Sequence, residues 1–306
     1  MTHGSRLLHL LNGDATREPL ERSGVPGDFA VWADVLHEGP VPAVDVDART
    51  RREIRARFIA DSGWASYDDA IRTYEKWDEA IGRFSAYDEI VIWCEHDLFD
   101  QLLLVRHLAW FAERKLGNTR LSLICVDAFP GMPDFKGLGE LAPAQLASLL
   151  GSRQAISRGQ LQLGARAWRA FSATDRRELT AFLKREDCAA LPFLAAALER
   201  YLEDVSPPAN SLGRTERQIL RLVASGVSRA HDLLREIHRL EQHFYITDTA
   251  LWRRLQQLAS AAPPLLTIRT PDRPDNRGQP MPNSELQLTE AGRAFRARDA
   301  NWNSED

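Results

Sequence analysis

The sequence predicts an α/β protein with a Rossmann-like parallel sheet of about four strands, a helical middle section and a winged-helix-like C-terminal domain. Short apolar segments alternate with helical segments at the N-terminus, whereas the last ninety residues change to three helices followed by two strands. Strands joined by helical crossovers run parallel, because the crossover returns the chain to the same end of the sheet. The expected divisions are 1–140, 141–204 and 212–306.

Four apolar segments are predicted as strands: Leu7–Leu11, Phe29–Trp32, Glu89–Cys94 and Arg120–Val126. Between them, four stretches have helical signals: Thr16–Ser23, Asp47–Ala60, Ser66–Phe84 and Asp97–Lys115. Gly24 suits the left-handed cap of the first of these helices. In the third, apolar side chains recur every three or four residues, which is typical of an amphipathic helix.

The middle section is predicted to be helical throughout, with segments at Pro143–Leu150, Ser157–Phe171, Thr174–Arg185 and Pro192–Leu202. Two prolines in the stretch 205–211 predict a linker. Beyond it we expect helices at Thr215–Ala224, Arg229–Leu240 and Thr247–Ser260, strands at Leu265–Arg269 and Glu285–Thr289, and a closing helix from Thr289. Three helices followed by a hairpin is the order of a winged helix.

The composition is that of a globular protein, with 306 residues of which 44% are hydrophobic and 27% charged. The longest nearly apolar run, Ala189–Leu198, is too short to span a bilayer, and no signal peptide is evident. Cys94, Cys125 and Cys188 are too widely spaced for a metal motif. We therefore expect a cytoplasmic location and no membrane partner.

Charge is unevenly distributed along the chain. Residues 211–306 hold 14 arginines, no lysine and 12 acidic residues, whereas residues 1–210 hold 25 basic and 31 acidic residues. The first part is unlikely to bind a polyanion without a cation, and the last part is only weakly basic for a nucleic-acid-binding domain.

Polar and acidic residues follow each predicted strand at its carboxyl end. Asn12 and Asp14 follow the first strand, Asp34 and Glu38 the second, and the acid-rich stretch 95–100 the third. Ligands bind at this edge of an open α/β sheet. If the strands are parallel neighbours, carboxylates that are distant in sequence converge there.

The most concentrated group is Glu95, His96, Asp97 and Asp100. Carboxylates with an imidazole can ligate a divalent cation or share general acid and base work. The alternative is that acids at a helix N-terminus only cap amide groups. Acids in several neighbouring loops favour the first interpretation, since they would repel one another without a cation or a shared proton.

Two further loops are candidate walls of the site. The turn Asn12-Gly13-Asp14-Ala15-Thr16 has only one glycine and contains an acid, so it does not match the dinucleotide-binding fingerprint. Asp14 would suit a ligand hydroxyl, an amine or a metal. Capping of the following helix by Asp14 or Thr16 explains these residues equally well. In the second loop, Gly39-Pro40 would hold Asp34, His37 and Glu38 in fixed directions. Trp32 and Trp93 are expected in the core.

No nucleophile elbow, P-loop, His-Glu-x-x-His or Cys-x-x-Cys motif occurs in the chain. Cys94 beside His96 resembles a thiol–imidazole pair, but nearby acids would raise the pKa of the thiol and disfavour a thiolate.

DNA binding is the alternative suggested by the C-terminal part. Arg253, Arg254 and Gln257 lie on the third predicted helix, and Arg273 and Arg277 lie in the predicted wing loop. Arginine and glutamine read base edges, although arginines on a helix are more often a solvated face.

Three motifs make the chain resemble the domain-of-unknown-function-1835 family of bacterial proteins. They are Asn12-Gly13-Asp14, the loop Trp32-x-Asp34-Val35-Leu36-His37-Glu38-Gly39-Pro40-Val41 and the stretch Trp93-Cys94-Glu95-His96-Asp97-Leu98-Phe99-Asp100-Gln101-Leu102. The stretch 161–171 and Thr215-Glu216-Arg217 add to the likeness, which spans most of the chain. The resemblance implies that Asn12, Asp14, Asp34, Glu38, Glu95, His96, Asp97 and Asp100 form a shared polar signature. It implies no reaction, because the family has none established.

The leading functional prediction is an acidic crevice that binds a small polar, nucleotide-like or phosphorylated molecule through a divalent cation such as Mg²⁺ or Mn²⁺. The predicted metal ligands are Asp14, Glu95, Asp97 and Asp100, and the predicted acid/base groups are His96 and Glu38. The other predicted ligand-binding residues are Asn12, Gly13, Thr16, Asp34 and His37. A bound cation would make hydrolytic chemistry possible. The alternatives are a ligand-sensing regulator that binds DNA, and a non-catalytic scaffold in which the acids only cap helices.

Overall fold

A computed structural model of the chain describes residues 5–205, 212–270 and 283–298. The chain divides into two compact units between Leu198 and Glu199. In the described ranges, no helix has the length and apolarity needed to cross a bilayer.

The first unit contains a five-stranded sheet with the order β2-β1-β3-β4-β5. Its strands are β1 (Leu7–Leu11), β2 (Asp28–Val31), β3 (Glu89–Glu95), β4 (Arg120–Val126) and β5 (Gln154–Ala155). The four long strands run parallel, as predicted, and Leu10 pairs with Ile92 where β1 meets β3. The carboxyl ends of β1 and β3 therefore lie side by side.

The prediction of helix throughout the middle section is wrong at β5, which pairs antiparallel with the edge of β4. Gln154 and Ala155 are both exposed, so this short strand has no apolar alternation by which the sequence could indicate it. Backbone pairing with an otherwise open strand edge forms it instead.

The first unit also contains seven complete helices: α1 (Asp14–Arg22), α2 (Ala48–Asp61), α3 (Tyr67–Gly82), α4 (Leu98–Ala112), α5 (Pro143–Leu149), α6 (Arg158–Phe171) and α7 (Arg177–Arg185). Helix α8 (Leu194–Val205) spans the division between the two units. The predicted bounds agree to within a few residues. Asp47, Ser66, Asp97 and Ser157 each accept a backbone N–H of the first turn of the following helix, which determines where α2, α3, α4 and α6 begin.

Helix α4 is buried nearly all round rather than on one face only. It packs against β3 on one side and α6 on another. Gly164 of α6 allows the close approach, because a Cβ there would collide with the side chain of Leu108. The first turn of α4 is therefore held rigidly at the carboxyl end of β3.

The second unit contains α9 (Arg214–Ala224), α10 (Ala230–Leu240), α11 (Asp248–Ser260), the antiparallel strands β6 (Leu266–Arg269) and β7 (Glu285–Leu288), and α12 (Glu290–Arg298). This order of elements agrees with the prediction. Residues 206–211 of the predicted linker and 271–282 of the predicted wing loop lie outside the described residues. Arg200 is buried within this unit and pairs with Glu241 at 2.8 Å.

Candidate functional site

The neighbouring ends of β1 and β3 bring Asn12 into contact with the acidic group. The Asn12 side-chain amide donates to Glu95 Oε1 at 3.2 Å and to Asp100 Oδ2 at 2.9 Å. The hydroxyl of Thr16, in the first turn of α1, donates to Asn12 Oδ1 at 3.0 Å. This contact orients the Asn12 amide so that its N–H groups face the carboxylates.

Glu95, Asp97 and Asp100 form a buried carboxylate cluster. One oxygen of each lies within 4.8 Å of the others, a spacing that a single cation with oxygen ligands at about 2.0–2.6 Å can span. Asp97 is the N-cap of α4 and accepts the backbone N–H of Asp100 at 2.9 Å. Capping therefore uses one oxygen of Asp97 and does not explain why Glu95 and Asp100 are buried beside it.

Burial and mutual repulsion shift the ionisation of the cluster. Burial, with the charge of Asp97 added, raises the pKa of Glu95 to about 7. Burial raises the pKa of Asp97 to about 6, and it raises the pKa of Asp100 well above its usual range, with Glu95 and Asp97 adding to the effect. Near neutral pH the cluster therefore retains protons or needs a cation.

The segment around Gly137 closes over Glu95. The backbone N–H of Leu138 donates to Glu95 Oε1 at 2.6 Å, and a Cβ on Gly137 would lie 2.5 Å from Glu95 Oε2. Asp100 Oδ1 is buried and accepts no hydrogen bond from any group in the described ranges. Asp100 Oδ1 therefore lacks the partner that its burial requires, because a buried oxygen without a donor is costly.

The groups next to the cluster are also buried. His96 is buried, its ring meets Phe193 edge-on at 6.2 Å, and its positive form would lower the pKa of Asp97. Burial first, and the charge of Asp100 second, raise the pKa of the Cys94 thiol well above its usual range. The expected disfavouring of a Cys94 thiolate is therefore confirmed.

Asp14 is exposed and lies outside the carboxylate cluster. Its side chain pairs with Arg17 one turn along α1 at 2.8 Å. Successive residues of a helical turn point in different directions, so Asp14 faces outward while Thr16 faces Asn12. Gly13, the preceding residue and a predicted ligand-binding residue, has an extended backbone and is the N-cap of α1. The grouping of Asp14 with the acids after β3 as metal ligands is therefore wrong, whereas Asn12 and Thr16 do reach the cluster.

Asp34 is buried in a different polar group. Arg55 of α2 donates to both of its oxygens, with Nη2 to Oδ1 at 2.6 Å, and the hydroxyl of Tyr74 donates to Oδ1 at 2.8 Å. These donors hold Asp34 as the counter-ion of Arg55, which gives it a structural role apart from the carboxylate cluster.

The loop after Asp34 is ordered by the same arginine. Arg55 Nη1 donates to the backbone carbonyl of Glu38 at 2.7 Å and to that of Pro40 at 3.1 Å. His37 and Glu38 are both buried, and the His37 ring meets Phe99 of α4 edge-on at 6.1 Å. Arg55 thus binds this loop at two backbone carbonyls, in addition to the turn at Gly39, whose φ is 72°.

Sequence reasoning missed a recess lined by Arg51, Arg52, Arg55 and Arg106. The one available signal was Arg106-His107, a polar pair with one charge within the mostly apolar run of α4. A charge inside a helix that is buried all round requires a partner.

In the second unit, Arg253 and Gln257 lie on α11, half-buried and exposed respectively. The guanidinium of Arg254 pairs with Glu216 of α9, so this arginine joins two helices rather than projecting freely. Arg273 and Arg277 lie outside the described residues.

No family model matches this chain, and no curated protein matches it. The resemblance to the domain-of-unknown-function-1835 family therefore stays a prediction.

Proposed function

We propose that the protein binds a divalent cation, Mg²⁺ or Mn²⁺, through Glu95, Asp97 and Asp100, and through that cation a small phosphorylated or nucleotide-like ligand. The observation that carries the proposal is the convergence of three buried carboxylates, one of which keeps an oxygen without a donor. Hard oxygen ligands of this kind suit Mg²⁺ and Mn²⁺ better than softer metals.

The surroundings of the cluster support a site over simple capping. Asn12 and Leu138 direct N–H groups at Glu95, which orients its carboxylate as outer hydrogen bonds orient metal ligands. A bound cation would offset the cost of burying these carboxylates in charged form, which is the main cause of the three raised pKa values. It would also supply a Lewis acid able to polarise a phosphoryl oxygen or activate water. His96, buried next to Asp97, is then the candidate proton carrier.

The cation site is tested by adding Mn²⁺, Mg²⁺ or Zn²⁺ at increasing concentration and measuring the melting temperature of the protein. A ligand that binds only the native state stabilises it, by about 2.7 kcal/mol at a hundredfold excess over Kd. We expect Mn²⁺ to raise the melting temperature of the wild type and to have little effect on Asp97→Asn and Asp100→Asn. Asp97→Asn retains a good capping residue, so its loss of response would not come from a lost cap.

Asp14→Asn is the matched control, because Asp14 is exposed and paired with Arg17. It should respond to Mn²⁺ as the wild type does. Unchanged melting of the wild type with all three ions would refute the cation site, and equal responses of Asp14→Asn and Asp100→Asn would refute these ligands.

The ligand half of the proposal has its own test. A nucleotide or a small phosphomonoester should raise the melting temperature further when Mn²⁺ is present and much less when EDTA replaces it. If the site is hydrolytic, His96→Gln should slow phosphate release and leave the Mn²⁺ response intact.

DNA binding by a winged helix is the second candidate, supported by the order of three helices, an antiparallel pair and a closing helix. Arg253 and Gln257 on α11 would contact the duplex, with Arg254 held by Glu216. Replacing Arg253 and Gln257 together by alanine should weaken salt-sensitive duplex binding. Absence of binding by the wild type at low salt would exclude this candidate.

A further inference from the structure

A recess in the first unit is enriched in arginine. Its charged walls are Arg51, Arg52, Arg55, Arg106, Asp34 and Asp78, an excess of two positive charges. Its enclosed part has room for about one water molecule, so a larger ligand would occupy the mouth as well. Including its mouth, the recess has a volume of about 360 Å³. It shares no residue with the carboxylate cluster.

One ion pair in this recess is complete without a ligand. Arg55 uses all of its nitrogens, with Nε and Nη2 on Asp34, Nη1 on the carbonyls of Glu38 and Pro40, and Nη2 also on the carbonyl of Val35. The charges of Arg55 and Asp34 therefore neutralise each other, and the positive excess belongs to the other arginines.

Asp78 is the remaining acid, and two arginines share it. Arg52 donates to it at 2.9 Å and Arg106 at a longer 3.3 Å. Arg106 is buried, and its guanidinium stacks on Trp32 at 3.8 Å from the ring centre. Burial lowers the pKa of Arg106 to about 9, and the charge of Arg51 adds to the effect despite Asp78. One carboxylate thus compensates two guanidinium groups incompletely.

Arg51 adds a third cation to the same wall. It donates to the backbone carbonyl of Val46 at 2.9 Å, and it forms no ion pair with any acid of the described chain. Trp32, which is 4% exposed, also lines the recess. The recess therefore keeps positive charge that its own acids do not fully compensate.

We propose that this recess binds a small oxyanion, namely phosphate or the phosphate end of a small monoester, through Arg51, Arg52 and Arg106. Guanidinium groups bind phosphate oxygens with charge-assisted hydrogen bonds. A dianion matches the excess of two positive charges. The apolar walls from Val41, Pro42 and Trp168 suit the organic part of an ester at the mouth. The proposal is independent of the cation site.

Isothermal titration of the full chain with inorganic phosphate, in EDTA, tests this site without any contribution from a cation-bridged ligand. A second arm uses phenyl phosphate. Binding in either arm supports the proposal when Arg51→Gln weakens it, and tighter binding of phenyl phosphate identifies a monoester as the preferred source of the anion. Binding in neither arm refutes it, whatever the outcome of the Mn²⁺ titration.

Arg51→Gln is the informative variant, because Arg51 pairs with no acid and its removal leaves no carboxylate without a partner. We expect its affinity for phosphate to fall at least tenfold. Arg49→Gln is the matched control on the same helix: its side chain is 83% exposed and pairs with Glu53, so its affinity should stay within twofold of the wild type.

Equal affinities of the wild type, Arg51→Gln and Arg49→Gln would refute this site even if phosphate binds elsewhere on the protein.

Discussion

The side-chain amide of Asn12 donates to Asp100 at 2.9 Å, which joins the end of β1 to the first turn of α4 across 88 residues of sequence. The same amide group reaches Glu95 at the end of β3. One asparagine thus connects two carboxylates whose charges repel, because its N–H groups are the donors that these oxygens need.

Asn12→Ala should therefore destabilise the protein. The change leaves Asp100 Oδ2 without a donor and Glu95 Oε1 with only the Leu138 N–H. Loss of hydrogen bonds to buried carboxylates typically costs about 1–3 kcal/mol. Urea denaturation at pH 7 measures the loss in the free energy of unfolding. Asn118→Ala, at an exposed position, is the control. Equal unfolding free energies of the two variants would contradict this role for Asn12.

The carboxylate cluster should make the cation-free protein less stable as the pH rises. Because the folded pKa values of Glu95 and Asp97 are raised to about 7 and about 6, the native state binds more protons than the unfolded chain above about pH 4. The free energy of unfolding therefore falls as the pH rises from about 4 to 7, by on the order of 1–3 kcal/mol for each group. Denaturant unfolding in EDTA across this range measures the slope.

Glu95→Gln should reduce that slope, because it removes one of the titrating groups. Glu18→Gln, at an exposed position of α1, should keep the slope of the wild type. Saturating Mn²⁺ should flatten the slope in the wild type, since a cation displaces the protons that the cluster otherwise retains. Identical slopes for the two variants would show that Glu95 ionises as an ordinary surface acid.

Gly137→Ala should disturb the cation site more than the fold. Gly137 has a φ of 179°, an extended conformation that alanine also adopts, so the backbone is not strained. The new Cβ would lie 2.5 Å from Glu95 Oε2 and displace that carboxylate. We expect at least a tenfold loss of Mn²⁺ affinity, measured by titration. Gly151→Ala, where a Cβ meets nothing within 4 Å, is the control; equal affinities would argue against Glu95 as a ligand.

Arg55→Met should be strongly destabilising, because it leaves the buried Asp34 carboxylate with only the Tyr74 hydroxyl. Removing one partner of a buried ion pair costs about 3–5 kcal/mol. Arg57→Met, two residues along the same helix, loses only a contact with the Tyr67 ring and should cost about 1 kcal/mol or less. Thermal denaturation of both variants compares the costs, and similar melting temperatures would refute a structural role for Arg55.

Much of the fold could be predicted because its signals are local. Ser66 and Ser157 act as N-caps where the sequence indicates helix starts, and Gly24 adopts the left-handed conformation expected after α1. The four parallel strands are apolar runs bounded by polar residues. β5 could not be predicted, since its two exposed residues form a strand only through the edge of β4.

The candidate site could be predicted only in part. The convergence of Asn12 with Glu95 and Asp100 followed from parallel strand order, because neighbouring strand ends lie at one edge of the sheet. The grouping of Asp14 with Glu95 and Asp100 was wrong. Asp14 is close to Asn12 in sequence, but this closeness does not determine the direction in which its side chain leaves the helix. The pairing of Asp34 with Arg55 has no local signal, as the two residues are 21 positions apart.

By itself, the sequence determined the alternation of strands and helices, the polar strand ends and the acidic stretch after β3, because these depend on apolar periodicity and short-range capping. The tertiary structure alone decided which charged groups meet: it separated Asp14 from the carboxylate cluster, placed Arg55 on Asp34 and gathered Arg51, Arg52 and Arg106 around one recess. The physical reason is that burial changes the free energy of a charge through partners brought close by packing, and the chain order does not specify those partners.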